Sequence, residues 1–296
     1  MKYLRLIWAV ALIEMALLPS VASAVVFPSE DLIEVTENSL FRWNLNTSTD
    51  IYTNKQTGTS VFGDMTRMAD GRYVAYRGSY SGATPALFEV NPTTGSVSLM
   101  VQSNSAAGQV VALVPMKNGN LFAFDNSLHY ISINPTTLAY TPLNIAGAGF
   151  EPSAGGGGMA VSPDGDIYGW CSGFSTNSGV FAALFRIDPI AGTAQKIGSG
   201  FDHISFSANV DAMSFTPNGR LFGFTTASTG LNGEPLKANG VYEFNLQTGM
   251  PTLLTQRSEL AAVRGVMFVP EPGLSLLAFG GLALLRRRKA SRTLLF

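Results

Sequence analysis

The chain has 296 residues, 46% hydrophobic and 13% charged, a length that admits one large all-β domain and about half the usual charged share. Thr, Ser, Asn and Gly fill that gap, a composition suited to strands joined by tight turns. The formal net charge of −1 conceals an acidic body: without the first 24 residues and those after Pro270, 12 basic residues face 18 acidic ones, a net of −6, and such a surface excludes nucleic acid as an expected partner.

In chain order, Lys2 and Arg5 come first, followed by an apolar run from Leu6 to Leu18 that only Glu14 interrupts. Ala22-Ser23-Ala24 supplies small residues for cleavage after Ala24. The pattern predicts a secretory signal peptide over 1–24, removed by signal peptidase, with an uncleaved anchor as the alternative.

Beyond it lies a repeat. "MTRMADGRYVAY" from Met65, "LVPMKNGNLFAF" from Leu113, "MAVSPDGDIYGW" from Met159 and "MSFTPNGRLFGF" from Met213 each read as strand, Asx-Gly turn, alternating aromatic strand. Asn and Asp tolerate the left-handed conformation and Gly adopts it freely, so each dipeptide predicts a tight hairpin. Gly71, Gly119, Gly165 and Gly219 are spaced 48, 46 and 54 residues apart. A second motif follows each hairpin: "LFEVNPTTGSVSLM" from Leu87, "HYISINPTTLAYTPL" from His129, "LFRIDPIAGTAQKI" from Leu184 and "VYEFNLQTGMPTLL" from Val241. The unit is four meandering strands at the period of a β-propeller blade. The ends supply one more. "DLIEVTEN" and "SLFRWNLNTSTDIYT" read as second to fourth strands, and "RGVMFVP" from Arg264 as the missing first. The expected fold is all-β: a propeller over 25–270 with five blades, closed by pairing of N- and C-terminal strands so that no sheet edge stays open.

Catalytic candidates are few. The two histidines, His129 and His203, are isolated, and no serine sits in a Gly-x-Ser-x-Gly elbow. Asp202, His203 and Asp211 stand near the start of a first strand, where they either face the channel mouth or serve as hydrogen-bonded structural groups. A metal centre needs three or four converging ligands, so no metal or cofactor is expected. "PDGDIYG" from Pro163 alternates acids but lacks the further oxygen ligands and terminal Glu of a calcium loop, and turn chemistry accounts for it. Cys171 has no partner for a disulfide and reads as a small strand hydrophobe. The aromatic pairs Phe122/Phe124, Tyr168/Trp170 and Phe222/Phe224 share a face at period two, as core between blades or as a platform for carbohydrate. The long loops, such as "GAGFEPSAGGGG" from Gly147, are where binding function is expected.

The chain then runs Val269-Pro270-Glu271-Pro272, thirteen uncharged residues over 273–285, and Arg286-Arg287-Arg288-Lys289. A helix of thirteen residues rises about 20 Å, short for a hydrocarbon core of roughly 30 Å, and the basic cluster would hold its end on the cytoplasmic side. Pro-Glu-Pro, a short apolar segment and a basic stop, in that order over 269–292, resembles the PEP-CTERM sorting signal, a tail also described as an ice-binding-protein C-terminal domain. The resemblance implies a Gram-negative bacterium, export through the inner membrane, transient anchoring, processing by an exosortase-type enzyme, release to the cell surface or matrix, and association with exopolysaccharide and biofilm. This sequence departs in the shortness of its apolar segment and in the trailing "ASRTLLF". The body is expected to bind an extracellular polymer or surface protein without catalysis. The alternative is an envelope hydrolase or lyase acting on polysaccharide or a small ester. An ice-associated role has only the tail's label behind it, because the body lacks regular Thr-x-Thr ladders.

Overall fold

A computed structural model of the chain describes residues 31–36, 39–44, 49–55, 62–78, 83–104, 106–125, 129–147, 155–175, 179–202, 210–226, 236, 238–256 and 263–269. Twenty strands among them form five four-stranded antiparallel sheets. Blade I comprises β4 (Phe62–Arg67), β5 (Tyr73–Arg77), β6 (Ala86–Val90) and β7 (Val97–Gln102). Blade II comprises β8 (Val110–Pro115), β9 (Leu121–Asp125), β10 (Tyr130–Ile133) and β11 (Tyr140–Leu143). Blade III comprises β12 (Gly155–Val161), β13 (Ile167–Ser175), β14 (Gly179–Asp188) and β15 (Thr193–Asp202). Blade IV comprises β16 (Ala212–Phe215), β17 (Leu221–Phe224), β18 (Gly240–Phe244) and β19 (Pro251–Gln256). Blade V is composite: β20 (Val263–Phe268) is its inner strand, followed by β1 (Asp31–Thr36), β2 (Ser39–Asn44) and β3 (Thr49–Lys55). The molecule is a five-bladed β-propeller, closed as the termini predicted, with Leu32 opposite Phe268 and Val35 opposite Gly265.

Turn chemistry sets the blades, with one revision. In each first hairpin the Asx residue is not left-handed; the glycine alone is, with φ of 90° at Gly71, 85° at Gly119, 82° at Gly165 and 85° at Gly219. The N–H of Gly71 donates to the Met68 carbonyl at 2.9 Å while that of Met68 donates to Arg72 at 2.8 Å, and the other three hairpins repeat the pair. The loop is therefore a type I turn closed by a left-handed residue, one longer than a two-residue hairpin. The second turn is also a repeat. Oδ1 of Asn91, Asn134 and Asn245 accepts the N–H groups two and three residues on, and Asp188 does the same. A side chain that satisfies two turn amides holds the chain reversal without strand partners.

Alternation then divides the core among the blade interfaces. On β9, Phe122 and Phe124 join blade III, while Leu121 and Ala123 join blade I. Trp170 and Leu184 of blade III pack with Phe244 of blade IV, and Phe222 and Phe224 of blade IV with Leu32 and Phe268 of blade V. Ile33 and Leu40 close the circle against Phe62 and Tyr73 of blade I. The five inner strands lie side by side about the axis, β20 between β16 and β4. Four of their pairings with the second strand are offset by an extra residue at matched places: Gly63, Val111, residues 157–158 and Arg264. A bulge there adds twist where the strands crowd the axis.

Candidate functional site

The inner strands determine what reaches the axis. Aligned through their hairpins, they place Asp64, Ala112, Gly158, Ala212 and Gly265 at one position. Two are glycine where a Cβ would press on the next blade: on Gly158 it would approach the Met213 amide to 2.5 Å, and on Gly265 it would collide with Oδ1 of Asp64 and approach the Met65 amide to 2.6 Å. Asp64 is the exception. Its buried carboxylate accepts the N–H of Met65 at 2.6 Å through Oδ1 and that of Leu113, on the next blade, at 2.5 Å through Oδ2. Burial raises its pKa well above the usual carboxylate range, and the two amides pull against that without cancelling it. Two residues beyond the aligned position, Ser214 on the inner strand of blade IV repeats the device: its Oγ accepts the Phe268 N–H of blade V at 3.2 Å. These groups bolt inner strands together across blade boundaries.

Where the inner strands end, the axis opens into a 520 Å³ cavity lined from all five. Its lining is rich in thioethers and rings, among them Met116, Met159, Met267 and Phe215, with Arg67 and Lys117 as the charged residues among the described ones. Lys117 Nζ stands 3.9 Å from Asp166, a carboxylate that Arg186 holds at 2.7 Å. The acids of "PDGDIYG" are thus turn residues, and Asp166 also ties blade II to blade III.

Two of the sequence-derived catalytic candidates, Asp202 and Asp211, belong to the opposite end, where inner strands begin. Asp211 is partly buried just before β16; its Oδ2 accepts the Thr226 N–H at 2.7 Å, and its own N–H donates to Phe224 at 2.8 Å. Burial raises its pKa, opposed by hydrogen bonds from Thr226 and then by the charge of Arg264. Asp202 is the last residue of β15, paired in backbone register with Phe181. His203 lies outside the described residues, as do Ala22, Ala24, Pro270, Glu271, Pro272, the segment 273–285 and Arg286 to Lys289. Val269 is described: it is buried against blade I, and its N–H donates to Asp31 at 2.8 Å.

No family model matches the chain, and no curated protein does. Among solved structures it is similar to a protein of unknown function from Bacteroides caccae, with TM-score 0.45 and 10% identity over 82% of this chain and 100% of that one. It is also similar to a chain of a nidogen/laminin complex, with TM-score 0.49 and 12% identity over 80% and 97%. TolB from Acinetobacter baumannii gives TM-score 0.45 and 13% identity over 77% of this chain and 53% of TolB. The five-bladed assignment rests on strand order, and these likenesses assign no activity.

Other groups fall into place as structure. Cys171 is buried in β13 with Sγ 3.5 Å from the Tyr130 hydroxyl, and burial pushes its thiol up to about 12. His129 is exposed, 3.5 Å from Asp125. Phe122, Phe124, Trp170, Phe222 and Phe224 are fully enclosed, which makes them core; Tyr168 is half-buried and meets Phe215 of blade IV edge-on at 5.4 Å. No group of three or more His, Cys, Asp or Glu side chains is placed to hold a metal ion among the described residues. Asp64 is what sequence reasoning missed. The signal lay one residue ahead of the aligned repeats: "D" before Met65 where the other blades carry Ala or Gly.

Proposed function

We propose that this chain is an exported propeller of a Gram-negative envelope that acts as a binding module on extracellular polymer or a surface protein. In this reading signal peptidase cuts after Ala24. The tail then anchors the folded body transiently, through Pro270-Glu271-Pro272, the apolar segment 273–285 and Arg286 to Lys289, until an exosortase-type enzyme releases it to the cell surface or matrix. The observation that carries this reading is that all five blades are complete at Phe268, so nothing after Val269 is needed to close the body and the tail is left to serve as an address. Exopolysaccharide is the polymer of choice for a matrix protein so addressed. The long loops at the inner-strand starts are the places for contact. A second reading, an envelope hydrolase or lyase on polysaccharide or a small ester, draws on Asp211, whose raised pKa and place at the channel end suit an acid catalyst. The test is retention of the purified body on the producing cell's exopolysaccharide, compared with the variants Asp202→Asn, His203→Ala and Asp211→Asn. Binding that survives all three supports the module. A hydrolytic or lyase activity that they abolish replaces it with the enzyme.

A further inference from the structure

The body leaves its last strand on one particular face. Met267 and Phe268 line the same cavity as Arg67, Met116 and Phe215, so β20 ends at the mouth where the other inner strands end. Three residues, Pro270 to Pro272, separate Val269 from the uncharged segment that starts at Gly273. Four extended steps reach at most about 14 Å, and proline at two of the three intervening positions stiffens them. The segment itself is short: as a helix it would rise about 20 Å, roughly 10 Å below the hydrocarbon thickness, and such a mismatch draws the flanks toward the headgroups.

The same face carries the turns between third and fourth strands, because the third strand of each blade runs with the first. Of the five exposed large apolar residues among the described ones, three lie at this end, one on each of blades II, III and IV, while Leu99 and Leu254 lie within outer strands. Ile190, 65% exposed, lies inside the turn Asp188–Gly192; Tyr140, 46% exposed, and Met250, 41% exposed, sit within two residues of the left-handed positions Leu138 and Gly249. Tyrosine suits the boundary between hydrocarbon and water, and the mouth between these turns offers lipid phosphate the guanidinium of Arg67, with Lys117 beside it 3.9 Å from Asp166. At the other end the exposed side chain of His129 pairs with Asp125.

We infer that the turn face of the propeller is a lipid-contacting surface, seated on the outer leaflet of the inner membrane while the tail is inserted, with the long loops turned away. This rests on the tail being a membrane segment, as proposed above. It explains how a binding face stays presented during anchoring: a tether of three residues leaves the body little freedom to invert.

The full chain in vesicles of phosphatidylethanolamine and phosphatidylglycerol tests it. A fluorophore is attached at Ile190→Cys, Met250→Cys or, as the distal reference, His129→Cys; Cys171 stays in place, since it is buried and its thiol titrates near 12. Brominated lipid should quench the labels at 190 and 250 several-fold more strongly than the label at 129. A Gly/Ser spacer between Pro272 and Gly273 should abolish that difference, and a difference unchanged by the spacer overturns the short tether as its cause. Chains that fail to float with the vesicles overturn the membrane reading and this inference together. Flotation with equal quenching at all three sites overturns the inference alone.

Discussion

At Gly119 and Gly219 an added Cβ would meet nothing within 4 Å, yet both have φ of 85°. Space is free and conformation is not, so Gly119→Ala and Gly219→Ala should each cost about 1 kcal/mol, as the left-handed penalty requires, read from the denaturant midpoint. Leu138 is the converse: φ is 58° at the place other blades give to glycine, but the side chain is fully buried. Leu138→Gly relieves roughly 1 kcal/mol of backbone strain and forfeits a core leucine worth about 2–5 kcal/mol, so it should lower the melting temperature. Asp64 sets a pH dependence. Its folded pKa is raised, so the fold prefers the protonated form. Stability therefore grows as pH falls through that raised value, and levels off once the unfolded carboxyl also protonates near ~3.9. Asp64→Asn should be less stable throughout, because its amide nitrogen faces a backbone N–H, and its melting temperature should lack the rise on acidification through that raised value that the native chain owes to this group. Equal slopes in the two proteins would refute the assignment. Glu243, whose carboxyl the Arg220 guanidinium holds down, shifts the other way, but it is common to both proteins and cancels in the comparison.

Among the elements, β20 has the largest role for its length. It is six residues long, and Val263, Val266 and Phe268 are buried between blades IV and V. Each such side chain is worth about 1.5–3 kcal/mol, and removing the strand also bares the edges of β1 and both neighbouring inner strands. A chain ending before Val263 should melt well below the chain that keeps Val269, or fail to fold; unchanged melting would refute closure by this strand. Gly265→Ala gives a finer probe, since its Cβ would strike Asp64. It should destabilise by more than the Gly→Ala changes in the open turns. Most elements were legible in the sequence because hairpin chemistry is local: the Asx side chain, the glycine and the alternation all act within a dozen residues. The left-handed residue in each first hairpin was legible only as a dipeptide, because Asx-Gly serves two loop lengths and hydrogen bonding to the flanking strands selects between them.

For the whole molecule, closure of the fold and the proposed address meet at Val269. Blade V keeps β1 paired only if its last strand is retained, so processing must fall after Phe268 for the released body to stay whole. If the chain is exported and processed as proposed, mass analysis should show a product beginning at Val25 and ending beyond Val269, with the basic cluster lost; an intact C-terminus would mark a permanent anchor. Blade identity and number were determined by the sequence itself, because turn residues at fixed offsets and period-two patterning are short-range and repeat visibly. So was the order of parts in the tail. The tertiary structure alone decided which residues meet at the axis. The Leu113 amide lies 49 positions from Asp64, and only the closed ring, which packs inner strands of different blades side by side, makes a carboxylate there serve two of them. It also decided that the chain leaves its body at the turn face, because the direction of β20 is set by the strands between which it is wedged.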